Sequence, residues 1–453
     1  MFLRPYKKAS LFCVALLLLA QTPSSAQVQM PKTDEKQSVS LVRYVDQKSG
    51  LTADDLAAYA LGHNLELQAM RKEIDAAKAL VKQARLRPNP KVDLSVSQNV
   101  TGNDRNVDAD AMLPLELGGR RAARITVAER QVEVREYEFA NRERLLSAEV
   151  RMKFADTLAQ ILKLSLTDEL VESNQQSFNL VAARVLEGAT PPLEQNMVLV
   201  ELNRLKSMRE SAEGKVEVAM LALRNLIGMS PEEPLRLRGN FDNLIDQLPT
   251  VSETTERALR NRPDLLAARS AENVALAQIE QARSGGRLDA SLLAGYEHMI
   301  FGFPVRGFDD VGRLQPVKGG FNYFKVGISL DVPVRNKNQG AVEAAIAEAD
   351  AAKRRREFAE LIVRHEVASS YAQYERASRA MEIFRVGVQQ QARANLDVVR
   401  QTYELGSKTL LDYLGEQRRF IEFENDFVDS QLAVYNARVE IQRAAASPEL
   451  IKR

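Results

Sequence analysis

Apolar residues recur every three to four positions along most of this chain, and over four short stretches they alternate with polar ones instead. The first period is that of a helix with one buried stripe, the second that of a strand with one apolar face. Ala155, Leu158, Leu162, Leu166 and Leu170 form such a stripe inside Arg120 to Glu187, a stretch without proline or glycine. From Ala341 to Leu405 the one glycine is Gly387. Helices of that length reach roughly 100 Å, several times the width of a compact domain. Further helices are expected over roughly 52–87, 193–227, 252–284 and 411–446. Glu138 with Arg142, and Asp350 with Arg354, have the i,i+4 spacing of ion pairs on polar faces. Ala341, Ala344, Ala345, Ala347, Ala349, Ala351 and Ala352 leave room for another helix to approach closely.

The alternating stretches come in two pairs. Val92, Leu94 and Val96 alternate with Asp93, Ser95 and Ser97; after a polar loop, Ala109, Ala111, Leu113, Leu115 and Leu117 alternate again. In the second pair, Leu288, Ala290, Leu292, Ala294 and Tyr296 precede Phe324, Val326, Ile328, Leu330 and Val332, which face away from Lys325, Gly327, Ser329 and Asp331. These predict strands at about 91–100, 108–117, 288–297 and 322–333. The Gly- and Phe-rich segment from Met299 to Phe321 is expected to be a long surface loop.

Both pairs belong to an internal repeat. Ala60, Leu61, Leu67, Ala69, Arg71, Ala77 and Gln83-Ala84-Arg85 match Ala258, Leu259, Leu265, Ala267, Arg269, Ala275 and Gln281-Ala282-Arg283 in order. Farther on, Pro114 pairs with Pro333 and Gly188 with Gly406. Each copy reads helix, two strands, very long helix, turn, returning helix. The copies span 51–227 and 251–446, joined by a Pro- and Gly-containing linker at 228–250, with an N-terminal segment at 27–50 and a tail at 447–453.

Charge and special residues narrow the function. With 62 basic and 61 acidic residues in 453, there is no net field to recruit nucleic acid. Arg4, Lys7 and Lys8 precede an apolar run from Leu11 to Ala20 and small residues at Ser24-Ser25-Ala26, the pattern of a signal peptide, residues 1–26, cleaved after Ala26. The single cysteine, Cys13, lies in that run without the small residues of a lipoprotein site, so the mature chain is expected to have no disulfide and no thiolate metal site. His63, His298 and His365 lack ligand spacing, and no phosphate loop, dinucleotide turn or nucleophile elbow occurs. The expectation is a protein without catalytic residues, metal or cofactor. An exported chain with no apolar stretch long enough for a spanning helix is either soluble outside the cytoplasm or crosses a membrane as a β-barrel. A secreted coiled-coil filament would account for the helices and leave the four strands idle.

Four strands with one apolar face cannot close a barrel, since the smallest membrane barrels have about eight. Their free edges must pair with other copies: two chains would supply eight strands, three chains twelve. Long helices around the same axis would continue the barrel as a tube, and the shape is that of a conduit. The fold class is therefore mixed and predominantly α, with four strands contributed to a shared barrel. An aromatic girdle is expected from Tyr296, Phe301, Phe303, Phe321, Tyr323 and Phe324, in the second copy only.

The repeat, the G-x5-[ED] turn in each half (Gly188 to Glu194, Gly406 to Asp412) and the signal peptide resemble the TolC-type outer-membrane factors over about residues 51–446. That resemblance implies a homotrimer in the outer membrane, a twelve-stranded transmembrane barrel and a periplasmic α-barrel. It also implies two partners, a periplasmic adaptor and an inner-membrane pump. LPLELGGRRAARI (Leu113–Ile125) and LDVPVRNKNQGAV (Leu330–Val342) are similar to the strand-to-helix junctions of the CzcC-like branch, which exports heavy metals. At these junctions Gly118, Gly119 and Gly340 would let the chain turn from strand to helix. In the same family, Asp412 matches the first aspartate of the entrance constriction, and the second falls at Gly415. Glu194, Tyr403 and Lys408 match positions that tie neighbouring hairpins at the closed tip. Three copies of Asp412 around an axis would repel one another and raise one another's pKa.

Overall fold

A computed structural model describes residues 39–241 and 248–447, apart from 101 and 103. The expected signal peptide and nearly all of the tail lie outside the described residues. In chain order the elements are α1 (Val39–Tyr44), α2 (Ala53–His63), α3 (Leu65–Arg85), β1 (Lys91–Gln98), β2 (Arg105–Pro114), α4 (Arg120–Leu186) and α5 (Pro192–Ile227). The second half adds α6 (Val251–Asn261), α7 (Pro263–Gly285), β3 (Asp289–Phe308), β4 (Leu314–Asp331), α8 (Gln339–Ile383), α9 (Gln390–Glu404) and α10 (Leu410–Ala444). A π-helical turn, Phe384–Gln389, joins α8 to α9 and contains Gly387.

Two helices read as continuous are each broken in the same place. The stretch 52–87 divides at Asn64 (φ −63°, ψ 122°) and 252–284 at Arg262 (φ −65°, ψ 122°). Both breaks are local chemistry: Asn64 accepts a hydrogen bond from the Leu67 N–H as an N-cap, and Pro263 occupies the first position of α7. Arg262 is fully buried at its break, bonded to Asp264 and to Glu366 at 2.6 Å.

The main core lies around the middle of α4, where Leu146, Phe154, Leu158, Ile161 and Leu164 pack with Leu56, Leu223, Ile227 and Leu237. Part of the linker belongs to this core, because Leu237 forms parallel bridges with Val45 and Leu51 and is fully buried. Of the α8 alanines, Ala345, Ala349 and Ala352 are buried, the last two packed with Ala275 of α7. The expected i,i+4 pairs are not the ones formed. Glu138 bonds Arg135, Arg142 joins Glu66 and Glu149, and Arg354 joins Glu357. A long guanidinium reaches a neighbouring helix as readily as its own next turn.

The strands form one antiparallel meander, β1-β2-β3-β4. β1 and β2 are 8 and 10 residues long, with β2 running from Arg105 to Pro114 rather than from 108 to 117. The expected long loop from Met299 to Phe321 is instead mostly strand. β3 and β4 have 20 and 18 residues, and their ladder runs out to Phe308↔Leu314. The glycine-rich character that suggested a loop leaves only an irregularity between Gly302 and Arg306, where β3 carries extra residues around Pro304. The aromatic residues between them are good strand formers. Gly319 makes room for packing there: a Cβ on it would lie 3.1 Å from the rings of Phe303 and Phe321.

Candidate functional site

Register gives the sheet two unlike faces. On one, Val92–Ala111–Ala294–Val326 and Leu94–Ala109–Tyr296–Phe324 form rows across all four strands. These rows include side chains that are exposed in the chain, with Leu94 at 78% and Phe324 at 84%. On the other face the matching rows are Asp93–Asp110–Gly295–Lys325 and Ser95–Asp108–Glu297–Tyr323. Two like-charged pairs stand directly opposed there, Asp93 with Asp110 and Asp108 with Glu297, an arrangement that destabilises a sheet. Lys325 relieves the second, at 2.6 Å from Glu297 and 3.4 Å from Asp108, while Asn106 donates to both of those carboxylates. An exposed apolar face opposite a hydrated, charged one is the cross-section of a membrane barrel wall. The expected girdle is divided by this parity. Tyr296 and Phe324 lie on the apolar face with ring centroids 5.3 Å apart, whereas Phe301, Phe321 and Tyr323 lie on the polar one.

Below the sheet, the run Arg120-Arg121-x-x-Arg124 opens α4. Cations at a helix N-terminus oppose the helix dipole, so each needs an acceptor elsewhere. Arg120 donates to the Ser284, Gly285 and Arg287 carbonyls and pairs with Asp289 at 2.8 Å. Arg121 donates to the Arg85 carbonyl, Arg124 to those of Ala84 and Leu86, and Arg124 pairs with Glu116. Thus the start of α4 caps the C-terminal ends of α3 and α7. Gly118 and Gly119 do take left-handed conformations, φ 71° and 83°. Gly340 does not; it lies inside the first turn of α8, and the left-handed residue is Asn338, whose amide donates to the Ala282 carbonyl. Gly286, which carried no signal in the sequence, is tighter still, since a Cβ there would meet the Lys337 carbonyl oxygen at 2.0 Å.

At the far end, both long helices stop in the same way. Gly188 N–H and Ala189 N–H donate to the Val185 and Arg184 carbonyls, and Gly406 and Ser407 do the same toward Tyr403 and Thr402. Both glycines are left-handed, φ 72° and 78°, as this ending requires. The returning helices begin differently. Thr409 and Asp412 form a reciprocal capping box at the start of α10, whereas Pro191-Pro192 open α5, leaving Glu194 at the equivalent third position free of a capping role. Hydrogen bonds from the Thr409 hydroxyl and N–H hold the Asp412 carboxyl below its usual 3.8, aided by the charge of Lys408. Within one chain this is opposite to the rise expected from crowded carboxylates. Tyr403 faces Glu194; burial first, and then that carboxylate, push its phenol up. Its ring stacks on Tyr413, 5.7 Å away and nearly parallel. Lys408 forms no ion pair among the described residues and acts on Asp412 through its charge. Gly415 has open space where a side chain would be, beside Leu411, Leu414 and Arg418.

One feature of the tip had no signal in the sequence. Tyr413, Gln417 and Asn174 are all buried, and Asn174 Nδ2 donates to Gln417 Oε1 at 3.2 Å while Gln417 Nε2 donates to Tyr413 Oη at 2.8 Å. This relay stitches α10 to α4 just inside the turns. Glu201, also buried, is held by Arg204 of its own helix and Arg418 of α10.

The sequence profile of the outer membrane efflux protein family matches residues 56–229 and 254–447. The chain belongs to that family. Its members are transport channels, and membership places the chain in the outer membrane of a Gram-negative cell with its helices in the periplasm. The cobalt-zinc-cadmium resistance protein CzcC of Cupriavidus metallidurans is 27% identical over 306 residues, covering 67% of this chain and 68% of that one. Among solved structures, the transmembrane channel CusC superposes with a TM-score of 0.72 at 19% identity, over 89% of this chain and 93% of its own. The outer-membrane channel OprN superposes at 0.69 and 18% identity, over 92% and 98%. At such identities the superpositions establish the fold: mostly helical, with four antiparallel strands.

Proposed function

We propose that three copies of this chain form the outer-membrane channel of a tripartite efflux system, carrying heavy-metal cations of the zinc, cobalt, cadmium or copper class. An inner-membrane pump and a periplasmic adaptor would deliver them. The observation that carries the channel reading is the two-faced sheet with both edge strands unpaired. It leaves β1 and β4 in need of partners, and like neighbours in a ring satisfy both at once. The metal assignment rests on the CzcC likeness together with the Leu113–Ile125 and Leu330–Val342 junctions. Export of drugs or other small molecules through the same tube is the alternative. Specificity then belongs to the pump, since a water-filled tube passes hydrated ions without a binding site of its own.

In this reading Asp412, Glu194, Tyr403 and Lys408 gate the periplasmic end, where Gly188 and Gly406 turn the hairpins. Glu194 and Tyr403 tie the first hairpin to the second, and threefold repetition of Asp412 places its charge at the entrance. Gly415 leaves that acidic ring single. Deleting the gene tests the substrate: lowered tolerance of zinc, cobalt, cadmium or copper with unchanged drug tolerance supports metal export, and the reverse pattern refutes it. Asp412→Asn combined with Glu194→Ala should raise single-channel conductance in planar bilayers; unchanged conductance removes these residues from the gate.

A further inference from the structure

Every strand carboxylate of rows 93–110 and 95–297 lies on the polar face, and the apolar face carries none. Following that apolar face upward, the rows pass from Ala290–Leu330 through Tyr296–Phe324 to His298–Asn322, with Val107 and Val96 alongside. Asn322 accepts hydrogen bonds from Tyr296 Oη at 2.8 Å and at His298 Nδ1, a polar rim directly above the aromatic pair. The next row is Gln98–Arg105–Ile300–Gly320. From Ala290 to Ile300 the rise is about 34 Å along the strand, or about 26 Å along the normal at a tilt of about 40°, which matches the ~25 Å apolar band of an outer-membrane barrel. Arg105 therefore stands at the level where hydrocarbon ends. Above it on the same face come Lys318, opposite Gly302, and Arg306, opposite Pro316.

These three cations are exposed, and their side chains make no hydrogen bond or ion pair among the described residues. Elsewhere on the sheet Lys325 is held by Glu297 and Asp108, and helix arginines such as Arg85, Arg142 and Arg356 are paired with Glu129, Glu66 and Glu272. Of the carboxylates at this end of the sheet, Asp104 accepts from the Gly302 N–H and Asp309 from the Val311 and Arg313 N–H groups, and neither they nor Asp310 forms an ion pair with these cations among the described residues. Resting on the outer-membrane channel reading, we propose that Arg105, Arg306 and Lys318 form a docking surface for the phosphate groups of the outer-leaflet saccharolipid, lipid A. The long β3–β4 hairpin carries two of the three, which accounts for its extra length, because it raises cations beside the lipid headgroups rather than forming a loose loop. Arg105, on the short β2, completes the patch from the neighbouring strand.

The test uses the full-length protein purified in detergent, with two probes: lipid A carrying both phosphates, and the same lipid A after chemical dephosphorylation. Binding is read by native mass spectrometry and by the shift in thermal melting. The bisphosphorylated lipid should bind the wild type and the dephosphorylated one only weakly. Arg105→Gln, Arg306→Gln and Lys318→Gln should each weaken binding about fivefold, and the triple variant about a hundredfold. Equal binding of the two lipids, or unchanged binding by the triple variant, overturns the proposal. Oligomer integrity on gels and ion conductance in planar bilayers are measured on the same samples. If both are normal while lipid selectivity is missing, only the docking surface falls; if the wild type neither assembles nor conducts, the channel reading falls with it.

Discussion

Replacing Tyr413 by Phe removes a single oxygen from the buried relay at the tip. Gln417 Nε2 then loses its acceptor, while the space, the ring stacking on Tyr403 and the contacts with Val181 and Val198 are kept. Gln417 is only 2% exposed, so water cannot readily replace the lost partner. Leaving a buried donor unsatisfied costs about 1–3 kcal/mol, which is about a 5- to 150-fold change in a local opening equilibrium. Because the relay joins α10 to α4, the loss should appear as faster hydrogen–deuterium exchange over residues 405–420, with α4 near its buried midpoint unaffected. The relay also predicts a partial rescue. Tyr413→Phe with Gln417→Leu removes both members, and Asn174 Nδ2 still has the Leu170 carbonyl at 3.1 Å. The double variant should therefore exchange more slowly than the sum of the single effects implies. Exchange in Tyr413→Phe within twofold of wild type, or strict additivity in the double variant, would refute the reasoning.

Three further outcomes are expected. Thr409→Ala removes the hydroxyl from the cap of α10 and should speed exchange of the Asp412 and Tyr413 amides a few-fold. Since Asp412 titrates below 3.8 in the folded chain, its contribution to the cap is complete at neutral pH and is lost only as pH falls through that lowered value; intrinsic-rate-corrected exchange that changes between about pH 5 and 7 would contradict this. Lys325→Met uncovers Asp108 and Glu297, so the cation-to-anion permeability ratio, read from the reversal potential across a salt gradient, should rise; an unchanged ratio would mean this face does not line the pore. Gly286→Ala drives a Cβ into the Lys337 backbone carbonyl and should lower the thermal melting temperature of the purified protein, whereas Gly340→Ala, with open space at its Cβ, should leave it unchanged.

Legibility followed the range of the interaction involved. The periods of Val92 to Val96 and of Phe324 to Val332 gave the faces of the sheet, and Gly188 and Gly406 marked the hairpin tips, because side-chain alternation and left-handed helix endings are local properties. Local signals were also missed or overweighted. Asn64 and Arg262-Pro263 carry the marks of a helix start inside runs read as unbroken, and the glycines between Met299 and Phe321 outweighed the strand-forming aromatics beside them. Arg120, Arg121 and Arg124 were a usable clue, since three cations at a helix start imply acceptors from elsewhere.

The linear sequence determined the periods, the repeat, the turns and the shortage of strands that makes a lone chain incomplete. It could not say which carbonyls Arg120 and Arg124 cap, that Asp412 is spent on its own helix start, or that Asn174 meets Gln417 and Tyr413 across two helices. Nor could it show that the cations Arg105, Arg306 and Lys318, distant along the chain, share one face. Those outcomes depend on which polar group is nearest once the backbone has packed. That choice is made by strand register and helix contact between residues far apart in sequence, where no local period carries the information.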